Sequence, residues 1–321
     1  MKILIVSGFL GAGKTTFIQA MTDITGRDFA VYENEYAGAG IDTKRLEENP
    51  ELSVWESTEN CVCCSGKADF AEAVLTISNS IDPEYLIVEP TGVAKLSNIL
   101  ENIRKIQYER ITLLKPVSII DFTNYYNGKV LYPDISEDQV RTASVIVFSK
   151  TENALPEELE ALQKDIRKLN PDAEFVTGPY EDLGKDWFMR VLENRLDQEP
   201  VNDTPSGSPS SPETSDGQAG NNPGTSETSL PESITLVSAS LPSPTHLIGL
   251  LDMIVFGQFG DIVRAKGSIP CGKEWIRFDL VGGSWIMTGD EPCEKAECVF
   301  IGKNISGKEI RSILRENMIR L

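Results

Sequence analysis

Histidine is almost missing from this chain: His246 is the single imidazole in 321 residues. Metal storage by a run of imidazoles is thereby excluded. Basic clusters are missing too. Lys and Arg number 30 against 49 Asp and Glu, giving a net charge of −19, and no Lys/Arg stripe forms along any segment. Nucleic acid and anionic membrane are poor partners for such a surface, because both are held by focused positive charge. No apolar run approaches the ~20 residues of a membrane-spanning helix. Met1-Lys2-Ile3-Leu4-Ile5-Val6 is too short an apolar run for a secretory signal. Six cysteines, three of them crowded into Cys61–Cys64, do not make a disulfide framework. A cytoplasmic protein is expected.

What is present starts with a loop. Gly8-Phe9-Leu10-Gly11-Ala12-Gly13-Lys14-Thr15 satisfies G-x-x-x-x-G-K-[ST] at every fixed position. The apolar run Ile3–Val6 before it reads as a buried strand, and Thr16–Met21 after it reads as the first turns of a helix. In that context glycines let successive backbone N–H groups converge on a triphosphate at a helix N-terminus. The expected nucleotide contacts are Gly8, Gly11, Ala12, Gly13, Lys14, Thr15 and Thr16. Lys14 would reach the β- and γ-phosphates, and the Thr15 hydroxyl would hold Mg²⁺.

Strand-like runs recur at Lys2–Val6, Phe29–Glu33, Leu52–Trp55, Tyr85–Val88, Val117–Asp121, Val145–Phe148 and Glu174–Val176. Amphipathic stretches such as Ala68–Ser78 and Pro156–Leu169 lie between them. This alternation predicts an α/β fold, a mostly parallel sheet with helices on both faces, spanning residues 1–196. Residues 197–232 turn to Ser, Pro, Thr, Gly, Asn and acids, a composition that buries too little apolar surface to offset its ordering entropy. They are expected to form a disordered linker. Residues 233–321 are expected to form a small α+β domain. Its strands would be near Ile234–Ser238, Ile262–Ala265, Trp275–Leu280, Ser284–Thr288 and Cys298–Ile301, with helices at His246–Phe256 and Gly307–Ile319. Trp275 and Trp285 read as core residues of those strands, and His246 as a residue at a helix surface or core edge.

Two further segments belong with the loop. Tyr85-Leu86-Ile87-Val88-Glu89 is an apolar strand ending in a carboxylate, as a sheet needs to present an acid near Mg²⁺. Gly92, in the turn that follows, could offer its N–H to the γ-phosphate. Val145–Phe148 runs into Ser149-Lys150-Thr151-Glu152, a variant of the Asn-Lys-x-Asp sequence with which many GTPases read guanine. Ser149, Lys150 and Glu152 are therefore expected at the base, with a preference for guanine and relaxed selectivity because the acid is one methylene longer. A P-loop small-molecule kinase is the rival reading, and the Ser149–Glu152 segment speaks against it.

Asn60-Cys61-Val62-Cys63-Cys64-Ser65-Gly66 has no packing explanation, since three thiols in four positions cannot all face one core. The spacing is too tight for an ordinary zinc finger. Thiolates select soft or borderline ions, here Zn²⁺, Co²⁺ or Cu⁺. Adjacent low-pKa thiols also form disulfides, so a redox or metal sensor without turnover stands as an alternative. Cys271, Cys293 and Cys298 read as unrelated, partly buried thiols, with a second thiolate site as the alternative if the fold brings them together.

The combination resembles the CobW-type P-loop GTPases, metallochaperone and metal-insertion enzymes related to the hydrogenase and urease nickel-insertion proteins. The residues that carry it are Gly8–Thr16, Glu33-Asn34-Glu35-Tyr36, Cys61-Val62-Cys63-Cys64 and Glu89-Pro90-Thr91-Gly92. Arg264-Ala265-Lys266-Gly267 and Val299-Phe300-Ile301-Gly302 are similar to that family's C-terminal domain. The resemblance implies a Mg²⁺-dependent GTPase with Lys14, Thr15 and Glu89 as its catalytic groups. Glu33–Gly38 and Glu89–Gly92 would be its switches. It also implies Cys61, Cys63 and Cys64, joined by Glu33, as ligands of a transferable zinc or cobalt ion. The partner would be a client metalloprotein or a cofactor-assembly protein, with a corrinoid system as one candidate. The chain departs from the family at Gly38, where relatives often carry an acid, and at Ser149 and Glu152.

Overall fold

The computed structural model describes residues 1–34, 52–57, 67–106, 110–196, 231–292 and 296–316. Cys61, Cys63, Cys64, Cys293, Glu35–Gly38, linker residues 197–230 and the last residues of the expected terminal helix lie outside the described residues.

The first eight strands are β1 (Lys2–Gly8), β2 (Phe29–Asn34), β3 (Leu52–Ser57), β4 (Tyr85–Glu89), β5 (Thr112–Leu113), β6 (Val117–Asp121), β7 (Val145–Ser149) and β8 (Glu174–Thr177). They form one sheet in the order β3-β2-β4-β1-β6-β7-β8, with the short β5 also paired to β1. Every pairing between them is parallel. Among the described residues the α-helices of this domain are α1 (Lys14–Thr25), α2 (Lys67–Ser80), α3 (Leu96–Lys105), α4 (Tyr125–Leu131), α5 (Pro133–Thr142), α6 (Pro156–Leu169) and α7 (Gly184–Glu193).

The central strands are continuous apolar runs because both sheet faces are covered. Leu4 and Val6 of β1 pack with Phe17, Ile18 and Met21 of α1 and with Phe188 and Leu192 of α7. Ile3 and Ile5, one residue out of phase, pack on the opposite face with Ile99 and Ile103 of α3 and Ile166 of α6. The expected α/β layering is thus present, with the phosphate loop at the carboxyl end of the central strand, where ligands of such sheets sit.

The second domain is a five-stranded antiparallel sheet in the order β12-β11-β10-β13-β9. Its strands are β9 (Glu232–Val237), β10 (Asp261–Cys271), β11 (Glu274–Val281), β12 (Ser284–Asp290) and β13 (Glu297–Lys303). Helices α8 (Pro244–Val255) and α9 (Gly307–Glu316) cover one face through Leu247, Leu251, Ile310 and Leu314. Strand β10 runs well past the expected Ile262–Ala265. Gly267 and Pro270 look like breakers in sequence. In the fold, Gly267 lies opposite Cys298, whose Cβ would sit 2.6 Å from any Cβ added there. Trp285 packs against the core as expected, but Trp275 is out of phase with buried Ile276, Phe278 and Leu280 and stands half-buried on the other face. His246 is exposed near the start of α8, its Nδ1 2.9 Å from the Ser243 hydroxyl.

The two domains share an apolar contact. Leu10, Val93, Tyr132 and Ile135 of the first meet Val263, Val299 and Ile301 of the second. Lys303 reinforces it, with its ammonium 4.5 Å from the Tyr132 ring centroid. Among the described residues no helix is long and apolar enough to cross a membrane.

Cys271 and Cys298 are both buried and free. Cys298 faces Gly267, four residues along β10 from Cys271, which is about 13 Å of strand. They cannot share an ion. Burial, with Glu274 nearby, pushes the Cys271 thiol up to about 11, and burial, with Glu297 nearby, pushes Cys298 up to about 12. Both should resist alkylation at pH 8 in the folded chain and react after denaturation, as read by peptide mapping. Labelling of either in the native protein at the rate of a free small thiol would contradict this burial.

Candidate functional site

The phosphate loop is short and internally tied. Strand β1 ends at Gly8 and α1 starts at Lys14, leaving the loop between. Gly13, immediately before the helix, takes φ 94°, a value that L side chains rarely adopt. The Ala12 N–H donates to the Phe9 carbonyl at 3.1 Å, and Lys14 Nζ donates to the same carbonyl at 3.4 Å. Lys14 is thereby buried under the loop it is expected to serve.

Strand β4 lies beside β1, with Val88 level with Ile5, so Glu89 emerges next to the start of α1. The Thr15 hydroxyl donates to Glu89 Oε1 at 3.0 Å, with Oε2 at 3.3 Å. A hydroxyl and a buried carboxylate converging at a phosphate loop form an all-oxygen donor set of the kind Mg²⁺ takes. Next along the edge, Glu33 of β2 is paired in register with Glu89 and is 3% exposed. On its other side Glu33 pairs in register with Glu56 of β3. The alignment of Glu56 escapes sequence reasoning, because it depends on the strand order β3-β2-β4.

The turn after β4 presses on the phosphate loop. A Cβ placed on Gly92 would lie 2.4 Å from the Leu10 nitrogen, so only a glycine lets the two backbones approach this closely. Gln139 of α5 holds the turn by donating to the carbonyls of Gly92, at 3.1 Å, and Ala94, at 3.0 Å. Nothing in the local sequence marks Gln139, since its role comes from how α5 packs.

On the other side of β1, the base-reading segment follows β7. Ser149 is buried, and its hydroxyl donates to the Ala12 carbonyl at 2.7 Å, with the Ile120 carbonyl at 3.3 Å. Ser149 therefore ties the base segment to the phosphate loop. Lys150 takes φ 57° and donates to Asp121 Oδ2 at 2.6 Å. Glu152 is exposed. The Tyr180 hydroxyl donates to the Gly13 carbonyl at 3.4 Å.

Asp121, the last residue of β6, is a third position that sequence reasoning missed. Its carboxylate accepts from the Thr123 N–H at 2.9 Å, the Thr123 hydroxyl at 2.6 Å and Asn124 Nδ2 at 3.1 Å, besides Lys150. Burial alone would raise its pKa, but Lys150 and these hydrogen bonds outweigh burial and hold it below the ordinary carboxylate value. A depressed folded pKa stabilises the fold fully above the unfolded value, and that stability is lost as pH falls through the folded one. Asp121→Asn should therefore cost stability at neutral pH and progressively less below about pH 4. Urea melts from pH 7 to pH 3 test this; a pH-independent difference would contradict it.

Lys14, Thr15, Thr16, Glu89, Gly92, Ser149, Lys150 and Glu33 thus gather along the carboxyl edge of one sheet, with Thr16 exposed on the first turn of α1. A phosphate loop, a Thr–Glu pair and a Lys-bearing base segment on a parallel sheet define a P-loop nucleotide-binding protein. Residues 2–177 match the family described as CobW/HypB/UreG, nucleotide-binding domain, and the chain belongs to that family. It is 30% identical over 165 residues to the zinc chaperone YeiR of Escherichia coli, covering 50% of this chain and 49% of YeiR. It is 25% identical over 191 residues to the zinc chaperone YjiA of the same organism, covering 57% and 59%. With the zinc-regulated GTPase metalloprotein activator 1 of Dictyostelium discoideum it shares 23% identity over 218 residues, covering 55% and 45%. The matched part of each relative is thus between 45% and 59% of its length.

Proposed function

We propose that this chain is a GTP-hydrolysing metallochaperone that carries a divalent transition metal, zinc before cobalt, to a client metalloprotein or cofactor-assembly protein in the cytoplasm. The observation that carries the reading is the Thr15–Glu89 pair at 3.0 Å beside the phosphate loop, in a chain of the CobW/HypB/UreG family. Zinc is favoured because relatives matched here bear the name zinc chaperone.

In this reading the loop amides from Gly8 to Thr16, with Lys14, bind the phosphates. Thr15 and Glu89 would hold Mg²⁺, which neutralises the charge of the transferring phosphoryl group when bound. Glu89 is also placed to orient the attacking water. Lys150 and Glu152 bind guanine from opposite ends of the base segment, with Ser149 holding that segment to Ala12. Cys61, Cys63 and Cys64 are the proposed ligands of the cargo ion, with Glu33 supplying an oxygen. The Gly92 turn, which presses on Leu10, is the proposed sensor of the γ-phosphate. The proposed organisation is a GTPase domain at residues 1–196, a linker from 197 and a C-terminal domain to 321 that begins with β9 at Glu232, one residue before the expected 233.

No arginine finger is readable, so GTP alone should turn over slowly, below about 0.1 s⁻¹. Addition of Zn²⁺ or a client should raise the rate. Phosphate release from GTP and ATP, with and without Zn²⁺, tests this. Fast basal turnover, or equal use of ATP, would contradict it.

A further inference from the structure

We propose that the turn joining β11 and β12, in the C-terminal domain, is part of the nucleotide site and positions both the phosphate loop and the base-reading segment. The inference rests on the guanine-nucleotide reading above.

The turn is a two-residue connection, Gly282-Gly283, with φ values of 56° and 86°. Both residues in the left-handed region give the tight turn that suits the twist of paired strands. The Gly282 N–H donates to the Val263 carbonyl at 3.2 Å, fixing the turn to β10. Two contacts reach across to the first domain. The side chain of Val281 lies against the phosphate loop: a Cβ on Gly11 would fall 2.5 Å from Val281 Cγ1 and 2.6 Å from Cγ2. The α-carbon of Gly282 lies against Asn124, and a Cβ there would fall 2.1 Å from Asn124 Oδ1.

Asn124 leads on to the base. Its Nδ2 donates to Asp121 Oδ2 at 3.1 Å, and the same oxygen accepts from Lys150 Nζ at 2.6 Å. One turn therefore touches the phosphate side through Val281–Gly11 and the base side through Gly282–Asn124–Asp121–Lys150. The apolar contact of Leu10 with Val263 and Ile301 holds the domains together at the same place. The C-terminal domain accordingly contributes positioning residues to a site whose ligand-touching groups all belong to the first domain.

The two contacts predict different losses. In the full-length chain, Gly282→Ala adds a methyl where the Asn124 side chain sits. At φ 56° an alanine also strains the turn, and the Asn124 side chain must move, so Asp121 loses the Nδ2 bond while keeping those from Thr123 and Lys150. GTP affinity should fall about tenfold, the size of one hydrogen bond to a charged group, while ATP affinity stays unchanged. Val281→Ala uncovers Gly11 and should weaken GTP and ATP by the same factor, because the phosphates are common to both. In an Asn124→Ala background, Gly282→Ala should cause no further loss, since its target is already gone.

Competition of GTP and ATP against fluorescent mant-GDP, with melting curves to show that each variant is folded, reads all three. Folded variants with wild-type affinities for both nucleotides would overturn the inference. So would a Gly282→Ala loss that adds fully to that of Asn124→Ala. If Gly282→Ala does not fold, Val281→Ala decides alone: equal weakening of GTP and ATP supports the inference and no weakening overturns it. A wild-type chain that fails to bind mant-GDP overturns the guanine reading and this inference together, an outcome distinct from wild-type binding with unmoved variants.

Discussion

Lys14→Ala should lower GTP turnover by at least about 100-fold, the loss typical of removing one donor aimed at transition-state charge. Lys14 is 6% exposed, and its ammonium donates to the Phe9 carbonyl at 3.4 Å. In phosphoryl transfer, negative charge shifts as the bond to the γ-phosphate breaks, and a cation held there matters more in the transition state than in the ground state. The loss should therefore appear in kcat more than in KM. Lys14→Arg keeps the charge but not the compact head, and should recover little. A rise in KM alone, with kcat kept, would place Lys14 outside the reacting centre.

Phe17→Ala should destabilise the first domain by about 3–5 kcal/mol, the usual cost of emptying a buried aromatic site. Phe17 is on α1, one turn after the phosphate loop, and is fully buried. Its ring stands edge-on to Tyr180 at 5.4 Å and to Trp187 at 6.3 Å, and tilted to Phe188 at 5.5 Å. These rings come from the Tyr180–Leu183 turn and from α7, so the substitution unties α1 from both. Tyr180 also donates to Gly13 at 3.4 Å, and its release should loosen the loop. Nucleotide affinity should therefore fall in parent buffer even where the variant remains folded. Denaturant melts and mant-GDP titration measure the two effects. A loss under 1 kcal/mol would mean that the core closes around the gap.

The central strands of the first domain were legible because burial on both faces makes them uninterrupted apolar runs, as in Ile3–Val6 and Val145–Phe148, whereas the two-residue β5 carries too little pattern to be read. The phosphate loop was legible because its glycines and Lys14 are constrained by chemistry as well as by packing. Groups whose role depends on which strands lie side by side were not. Asp121 reads in sequence as the end of a strand, and only the β6–β7 pairing brings Lys150 to it. Gln139 reads as a polar helix residue until α5 is seen to face the Gly92 turn. Strand β10 continues past Ala265 through Gly267 and Pro270, residues of low strand preference, and Gly267 lies where a Cβ would meet Cys298. Trp275 was assigned to the core by its alternation with polar neighbours, but alternation alone does not say which phase faces inward.

In the proposed function, nucleotide state gates the metal affinity of Cys61, Cys63 and Cys64. If GTP alters the hold on the ion, the ion must alter the hold on GTP by the same factor. The most direct measurement is Zn²⁺ affinity of the reduced full-length protein with GTPγS, with GDP and without nucleotide, beside Cys63→Ala. Tight binding that needs Cys63 and differs several-fold between GTPγS and GDP is the predicted result. Equal affinity in all three states, or affinity indifferent to Cys63, would contradict it.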